Sequence, residues 1–427
     1  MKKVPKKIGV IMGGFTPERH VSLESGRNVY SKLTAAGVYE VLPLFLSGCI
    51  EQQRIFHLPI ALLLKDNADD VHDLLLHPEK NNGSKALLAS IRAEASALTN
   101  TYAQGAIFEP EELTYAALKE RVDFVFIALH GRPGEDGTVQ TILEQYDIPY
   151  NGSGIAAAAL TMDKYATNRY LAEKGFHVAD QWIATKESWR QDPQVWVQTI
   201  EDRFSYPLIV KPIDDGCSAG VAKITHSAQL LAYASAVFGG QQKNELGAKH
   251  IANTFQPREK FLVEAFIGNE NESARFVETT TGLLTHVGPA QETVYEIFEP
   301  SEVLAAAEIL SLEEKFLAGE GHNITPVRLH ADPLVSATLR KQVRNELEKA
   351  AKVLHIQGYA RIDAFVEVAA AQHTTVWIIE INTLPALTPA TCIFHQCALN
   401  GYTPLAFLEA IIAYGSTKKN FSYASNS

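Results

Sequence analysis

The apolar run from Val122 to Leu129, VDFVFIAL, limits more than any other feature how this chain can fold. It lacks the apolar–polar alternation of a half-exposed strand, so the strand it predicts must be covered on both faces. That is the setting of a parallel sheet packed between helices. The run ends in His130-Gly131-Arg132-Pro133-Gly134-Glu135-Asp136-Gly137, a polar, glycine-rich segment at a strand's carboxyl end. Open α/β sheets bind their ligands at such positions. The amino end follows the same pattern. Lys7 to Met12 reads as a strand, Gly13-Gly14 as a turn, the residues to about Ala36 as a helix, and Tyr39 to Leu46 as a second strand. This βαβ order predicts an α/β fold with a parallel sheet in its N-terminal part.

At about 150 residues per domain, 427 residues allow roughly three domains. Residues 50–112 read as an insertion, with Asn81-Asn82-Gly83-Ser84 and a helical patch near Ala86–Leu98. After Tyr150-Asn151-Gly152-Ser153-Gly154, two helices are expected to flank Met162-Asp163-Lys164. Trp182-Ile183 and Pro207 to Val210 read as strands, and Lys211 to Val221 as a glycine-bearing turn. A third region begins near Phe261-Leu262-Val263-Glu264 and passes through an acidic, loop-rich stretch at 290–325. An amphipathic helix at about 334–354 precedes two strands, Ala360–Val368 and Val376–Ile381. A helix near Pro404–Ala413 and a polar tail from Lys418 to Ser427 close the chain. No repeat of solenoid spacing is present.

The charge balance excludes some partners. Lys and Arg number 38 against 49 Asp and Glu, a net charge of −11, whereas nucleic acid or an anionic membrane surface calls for a basic footprint. No stretch approaches the roughly 20 apolar residues that cross a bilayer. The opening MKKVPKKIGVIMGG is basic and then apolar, but Ile8–Met12 is shorter than the about 7–15 residues of a secretory leader, so a first strand is expected. Cys49, Cys217, Cys392 and Cys397 show no paired spacing, which points to a reduced, cytoplasmic chain. Cys392, His395 and Cys397 lack the fourth neighbour that a closed zinc site needs. The signatures GxxxxGK[ST], GxGxxG and HExxH are absent.

What the sequence does carry is a polar face on its last two strands. Arg361 and Asp363 are two apart, as are Glu380 and Asn382, so each pair projects from one side of its strand. If the strands pair, one surface gathers a guanidinium, two carboxylates and an amide. Hard oxygen ligands of this kind suit Mg²⁺ bridging phosphates, with the arginine free for a developing anion. The apolar flanks Ile379, Ile381 and Phe365 would strand these charges unless something pairs with them.

With these residues in view, the chain resembles the D-alanine–D-alanine ligases of the ATP-grasp superfamily. The blocks run in order: Gly13-Gly14 to Glu18-Arg19, then Val21-Ser22 and Ser25-Gly26; His130 to Gln140; Pro149 to Gly154 with Met162-Asp163-Lys164. The loop from Lys211, Gly358 to Asp363, and Glu380 to Pro385 follow. The resemblance implies an N-terminal substrate-binding α/β domain over 1–152, a central ATP-grasp subdomain over 153–263, and a C-terminal one over 264–427. The two subdomains would clamp ATP. It also implies an acyl phosphate made from D-alanine and ATP, which a second D-alanine's amine attacks to give the dipeptide used for peptidoglycan precursors.

Residue by residue, Lys164 and Lys211 would hold phosphates. The turn at Gly216, Cys217 and Ser218 would close over them with backbone N–H groups. Glu264 and the backbone of Ile267 would meet the adenine, and Glu270 (or Glu272) the ribose. Asp363, Glu380 and Asn382 would hold two Mg²⁺ or Mn²⁺ ions. Arg361, with the backbone N–H of Ala386, would stabilise the oxyanion. Glu18 would take the first substrate's ammonium with His130 nearby, and Thr391 and Cys392 would receive the second substrate. Lys315-Phe316 would come from a mobile loop at about 290–327. A homodimer is expected on the resemblance alone.

Four positions depart from the family pattern: Cys217 for serine, Phe316 for tyrosine, Ala386 for glycine and Thr391 for serine. Phenylalanine at the mobile loop goes with ligases that make a D-alanine–D-lactate ester, so a depsipeptide product is the second expectation. An ATP-binding protein without turnover is the third. The segments 50–112, 238–256 and 289–312 have no counterpart in a compact family member.

Overall fold

The computed structural model describes residues 6–64, 67–77, 107, 109–213, 220–239, 258–268, 275–304, 323–370, 373–389 and 391–417. The first sheet contains β1 (Lys7–Gly13), β2 (Glu40–Gly48), β3 (Gln53–His57), β4 (Glu111–Leu113) and β5 (Phe124–Ile127), in the order β4-β3-β2-β1-β5. β1 lies between β2 and β5 and is parallel to both, as strands apolar on both faces require. The helix Arg19–Ala35 packs close on β1. A β-carbon at Gly26 would lie 2.6 Å from Cβ of Met12, so only glycine admits this approach. Ser22 Oγ accepts from Gly13 N and donates to the Ala128 carbonyl, joining the carboxyl ends of β1 and β5.

Two sequence readings need revision here. The expected insertion at 50–112 is partly sheet, because β3 pairs with β2 and β4 with β3. Ile55 and Phe56 are buried as a result. The helices Ile60–Leu63 and Ala68–Leu76 follow β3, whereas the patch near Ala86–Leu98 lies outside the described residues. The run Val122–Leu129 forms a shorter strand than expected, because Val122 caps the helix Tyr115–Arg121.

β6 (His177–Val178) precedes a second, antiparallel sheet of β7 (Gln181–Thr185), β8 (Leu208–Lys211), β9 (Ala222–Ile224) and β10 (Lys260–Ala265), ordered β7-β10-β8-β9. Its core is aromatic, with Phe261 of β10 meeting Trp196, Tyr233 and Phe238. The last sheet contains β11 (Arg275–Val287), β12 (Thr293–Ile297), β13 (Ser301–Val303), β14 (Asn323–Ile324), β15 (Tyr359–Ala370) and β16 (His373–Asn382). The order is β14-β13-β11-β15-β16-β6, with β12 on β11. Among the described residues, the stretch read as loop-rich at 290–325 therefore holds three short strands. The alternation Thr-Val-Tyr-Glu-Ile of β12 suits a half-exposed strand, and its acidic neighbours obscured it.

The helix Pro333–Val353 starts at Asp332, whose side chain accepts from Leu334 N and Val335 N, with Pro333 in the first turn. It lays Leu339, Val343, Leu347 and Ala350 into the core beneath β15 and β16. The last helices, Cys392–Leu399 and Pro404–Gly415, return to the first sheet. Phe394, Phe407 and Ile411 there join the core that also contains Phe124 and Phe126. This return brings the end of β16 against the loops that follow β1 and β5.

Candidate functional site

β15 and β16 are antiparallel neighbours, with Arg361 opposite Asn382 and Asp363 opposite Glu380. The four side chains expected on one face are therefore adjacent. A register shift beside Asp363 inserts Ile379 as an extra residue next to Glu380, and such bulges re-aim side chains near functional sites. Arg361 grips Asp363 with two parallel bonds, Nε to Oδ1 and Nη2 to Oδ2, both 2.9 Å. Thr280 Oγ1 adds a bond to Asp363 Oδ1 at 2.6 Å. Glu380 lies 3.9 Å from Arg361 and 3.7 Å from Lys164 Nζ. The neighbouring carboxylates hold the Arg361 guanidinium charged, well above its ordinary range, although burial alone would act the other way.

Lys164 opens the helix Lys164–Glu173, where Asp163 accepts from Ala166 N as the N-cap. Its own N–H bonds the Ile213 carbonyl, which ties it to the turn after β8. Lys211 ends β8 and lies 2.7 Å from Glu264 of β10, with both side chains 7% exposed. Gln181 of β7 donates to the other oxygen of Glu264. Glu264 is thus fully engaged within the protein. Ile267 follows β10 and is partly exposed.

Glu18 precedes the helix Arg19–Ala35 and covers Gly131. A β-carbon on Gly131 would lie 2.2 Å from Glu18 Oε2, and Gly131 has φ +63°, so two independent constraints require glycine. Beside it stands Glu135, which sequence reasoning did not single out, although it lies within the quoted block His130–Gln140. Glu135 accepts from Gly131 N at 2.9 Å and Leu384 N at 3.1 Å. Burial, reinforced by the charge of Glu18, pushes its carboxyl up to about 7. Glu18, Glu135, Lys164, Glu380 and Asn382 line one cavity.

His130 is buried and both ring nitrogens are engaged, Nδ1 with the Leu384 carbonyl and Nε2 with Ser25 Oγ, each at 2.9 Å. Burial pulls its pKa down to about 4, so the ring is neutral. Ala386 and Thr391 are buried, and Thr391 Oγ1 donates to the Thr388 carbonyl. The Cys392 thiol is raised by burial to about 11 and feels Arg361 and Asp363. Gly216, Cys217, Ser218, Glu270, Lys315 and Phe316 lie outside the described residues.

Among the described residues no three His, Cys, Asp or Glu side chains gather to hold a metal. Of the expected ligand set, Glu380 and Asn382 line the cavity, and Asp363 stands behind them on the neighbouring strand, opposite Glu380. Asn382 Nδ2 is buried with no hydrogen-bond partner among the described residues. That N–H donor calls for an acceptor such as a phosphate oxygen, while the oxygens of Asp363, Glu380 and Asn382 are the hard donors that suit a cation completing its shell with phosphate and water.

The family model described as D-ala D-ala ligase N-terminus matches residues 7–153, and the one described as D-ala D-ala ligase C-terminus matches residues 170–413. The chain belongs to the D-alanine–D-alanine ligase family. Among curated members, the D-alanine–D-alanine ligase of Chlorobaculum parvum is 28% identical over 395 residues, covering 90% of each chain. That of Pelotomaculum thermopropionicum is 31% identical over 285 residues, 66% of this chain and 76% of its own. Two solved family structures align along almost all of the chain. VanG D-Ala:D-Ser ligase from Enterococcus faecalis superposes with TM-score 0.62 at 20% identity, covering 96% of this chain and 99% of its own. The Bacillus anthracis ligase complexed with ATP superposes with TM-score 0.58 at 21% identity, covering 96% and 97%. The fold is the family's ATP-grasp fold, and the chain is a ligase by family.

Proposed function

We propose that this ligase joins two D-alanines at the cost of ATP, giving ADP, phosphate and D-alanyl-D-alanine for peptidoglycan precursors in the cytoplasm. The observation that carries the reading is the pairing of Arg361–Asp363 with Glu380–Asn382, with Lys164 against Glu380 in the lining of a cavity shared with Glu18. We read the chain as units 1–152, 153–263 and 264–427 and expect a homodimer.

In this assignment Lys164 and Lys211 receive the phosphates, with Gly216, Cys217 and Ser218 above them. Glu264, Ile267 and Glu270 take the nucleoside, and Glu18 takes the first ammonium. Asp363, Glu380 and Asn382 hold Mg²⁺ or Mn²⁺, two ions, which when bound neutralise the phosphates and sharpen the electrophile. Arg361 and the Ala386 N–H face the acyl oxygen as it gains charge. Lys315 and Phe316 cover the site, while Thr391 and Cys392 adjoin the second substrate. The depsipeptide reading rests on Phe316, since a hydroxy acid brings no ammonium and needs no hydroxyl partner at the loop.

The test is a product assay with ATP, Mg²⁺ and a panel of D-amino and D-hydroxy acids, ADP and product being measured separately. D-alanine-dependent ADP with dipeptide supports the reading, and an ester product favours the depsipeptide. ADP formation indifferent to D-alanine refutes both.

A further inference from the structure

The segment Leu384–Leu387 follows β16 and contains Ala386, yet its backbone is held by side chains from the far end of the chain. Leu384 N–H donates to Glu135 Oε1 at 3.1 Å, and Leu384 O accepts from His130 Nδ1 at 2.9 Å. Leu387 N–H donates to Ser25 Oγ at 3.0 Å, and Leu387 O accepts from Asn28 Nδ2 at 2.7 Å. Both backbone groups on each side of the intervening pair are thus satisfied by the first domain. The partners are separated in sequence by 249 to 362 residues, so this is no local turn.

The clamp is internally braced. Because Leu384 O can only accept, His130 carries its proton on Nδ1, and Nε2 accepts from the Ser25 hydroxyl. Glu135 spends its second oxygen on Gly131 N–H, the glycine beneath Glu18. Ser25, His130 and the backbone they hold are buried, so each lost bond leaves an unsatisfied polar group. Holding a chain segment this fully is what a preorganised backbone donor requires, since a donor that must reorient loses its advantage at the moment charge develops.

We propose that Ser25, Asn28, His130 and Glu135 are positioning residues that fix the Ala386 N–H for the amide-forming step. The inference rests on the ligase reading above. In that step the amine nitrogen forms the C–N bond, the acyl C–O bond to phosphate breaks with its electron pair leaving on phosphate, and the amine's proton passes to water. The clamp acts on the acyl oxygen during this exchange. His130 then works through Leu384 and does not bind D-alanine directly. Lys164, Lys211 and Asp363 lie outside the clamp, so phosphoryl transfer is less dependent on it.

Asn28→Ala is the central variant, because Asn28 is half-buried and the change removes one hydrogen bond. His130→Phe is its companion. Each full-length variant is assayed with ATP, Mg²⁺ and D-alanine beside the wild type, with melting temperature as the check on folding. The expected result is a fall in dipeptide kcat of about 10- to 100-fold, smaller than the about 100- to 1,000-fold for outright loss of an oxyanion donor, because the N–H is displaced and not removed. KM for ATP stays unchanged, and more than one ADP forms per dipeptide as the acyl phosphate is lost to water. Unchanged kcat and coupling in Asn28→Ala overturns the proposal. So does a raised D-alanine KM at unchanged kcat in His130→Phe, which would make that ring a substrate contact. Should His130→Phe fail to fold, Asn28→Ala decides. A wild type without D-alanine-dependent ADP refutes the underlying reading itself, and that result is distinct from the others.

Discussion

His130 and Glu135 occupy one loop, and burial drives their titrations in opposite directions, which gives a measurable pH signature. His130 falls from 6.5 to about 4, burial being the main cause and Arg361 adding to it against the Leu384 carbonyl. Glu135 rises from 4.5 to about 7 through burial and the charge of Glu18, against the N–H groups of Gly131 and Leu384 and the charge of Arg361. For Glu135 the folded state holds its proton more tightly than the unfolded state. Its contribution to stability is full below about pH 4.5 and is lost as pH rises through about 7. For His130 the folded state holds the proton less tightly. Its contribution is full above about 6.5 and is lost as pH falls through about 4. At about 1.4 kcal/mol per unit, each shift is worth at most ~3.5 kcal/mol, less for Glu135 because its cavity edge is partly solvated. Between about pH 4.5 and 6.5 the two slopes oppose one another, so the loop's net contribution in the wild type is nearly flat. Glu135→Gln removes the falling limb, and stability should then rise by ~2 kcal/mol across that window relative to wild type. His130→Phe removes the rising limb, and stability should fall by a similar amount. Urea denaturation at four pH values between 4.5 and 7.5 reads both slopes. Two variants that keep the wild-type slope, or that change it in the same direction, would refute the opposed-burial argument.

Three further outcomes follow from the site. Lys211→Met should cost about 3–5 kcal/mol by leaving Glu264 charged and buried, whereas Lys211→Met with Glu264→Met should recover most of that loss. Tryptophan fluorescence follows this cycle, since Trp182, Trp189 and Trp196 belong to that core, and additive single costs would exclude the coupling. Gly131→Ala should raise KM for D-alanine at unchanged KM for ATP, because its β-carbon displaces Glu18 and the backbone sits at φ +63°; steady-state kinetics with each substrate varied decides this. Chelation with EDTA should abolish ADP formation, with Mg²⁺ or Mn²⁺ restoring it; in Asp363→Asn, which lacks one of the two facing carboxylates, restoration should need at least tenfold more metal, and a wild-type titration curve would contradict the assignment.

How much of this was readable in the chain depends on the range of the interaction concerned. Arg361, Asp363, Glu380 and Asn382 could be placed on one face because a strand's period of two is local, and pairing of successive strands needed only one further step. The covered strand β5 and the two helices that flank Met162-Asp163-Lys164 were similarly legible from a few adjacent residues. The clamp was not, since nothing near His130 indicates that its partner is the Leu384 carbonyl, 254 residues away. Glu135 stood in a quoted block as one more acidic residue, and only its two backbone donors distinguish it from a solvated one. The strands β3 and β12 were missed for a different reason. Polar and acidic neighbours masked short alternations whose pairing partners lie elsewhere in the sheet.

The arrangement of charge in the described site also bears on how ligands enter it. Asp363 faces Arg361, Glu380 faces Lys164, and Glu264 faces Lys211, so carboxylates assigned to cations and nucleoside already neutralise the groups assigned to phosphates and oxyanion. Without such pairing, burying these carboxylates would oppose folding by several kcal/mol per charge. The contacts differ in strength. Lys211–Glu264 is short and almost dry at 2.7 Å, while Lys164–Glu380 is long at 3.7 Å and borders the cavity. On the proposed assignment, a triphosphate that draws Lys164 toward itself uncovers the charge of Glu380, and a divalent cation on Glu380 in turn releases Lys164. On that assignment each ligand would raise the affinity of the other, by the reciprocity that links any two binding free energies.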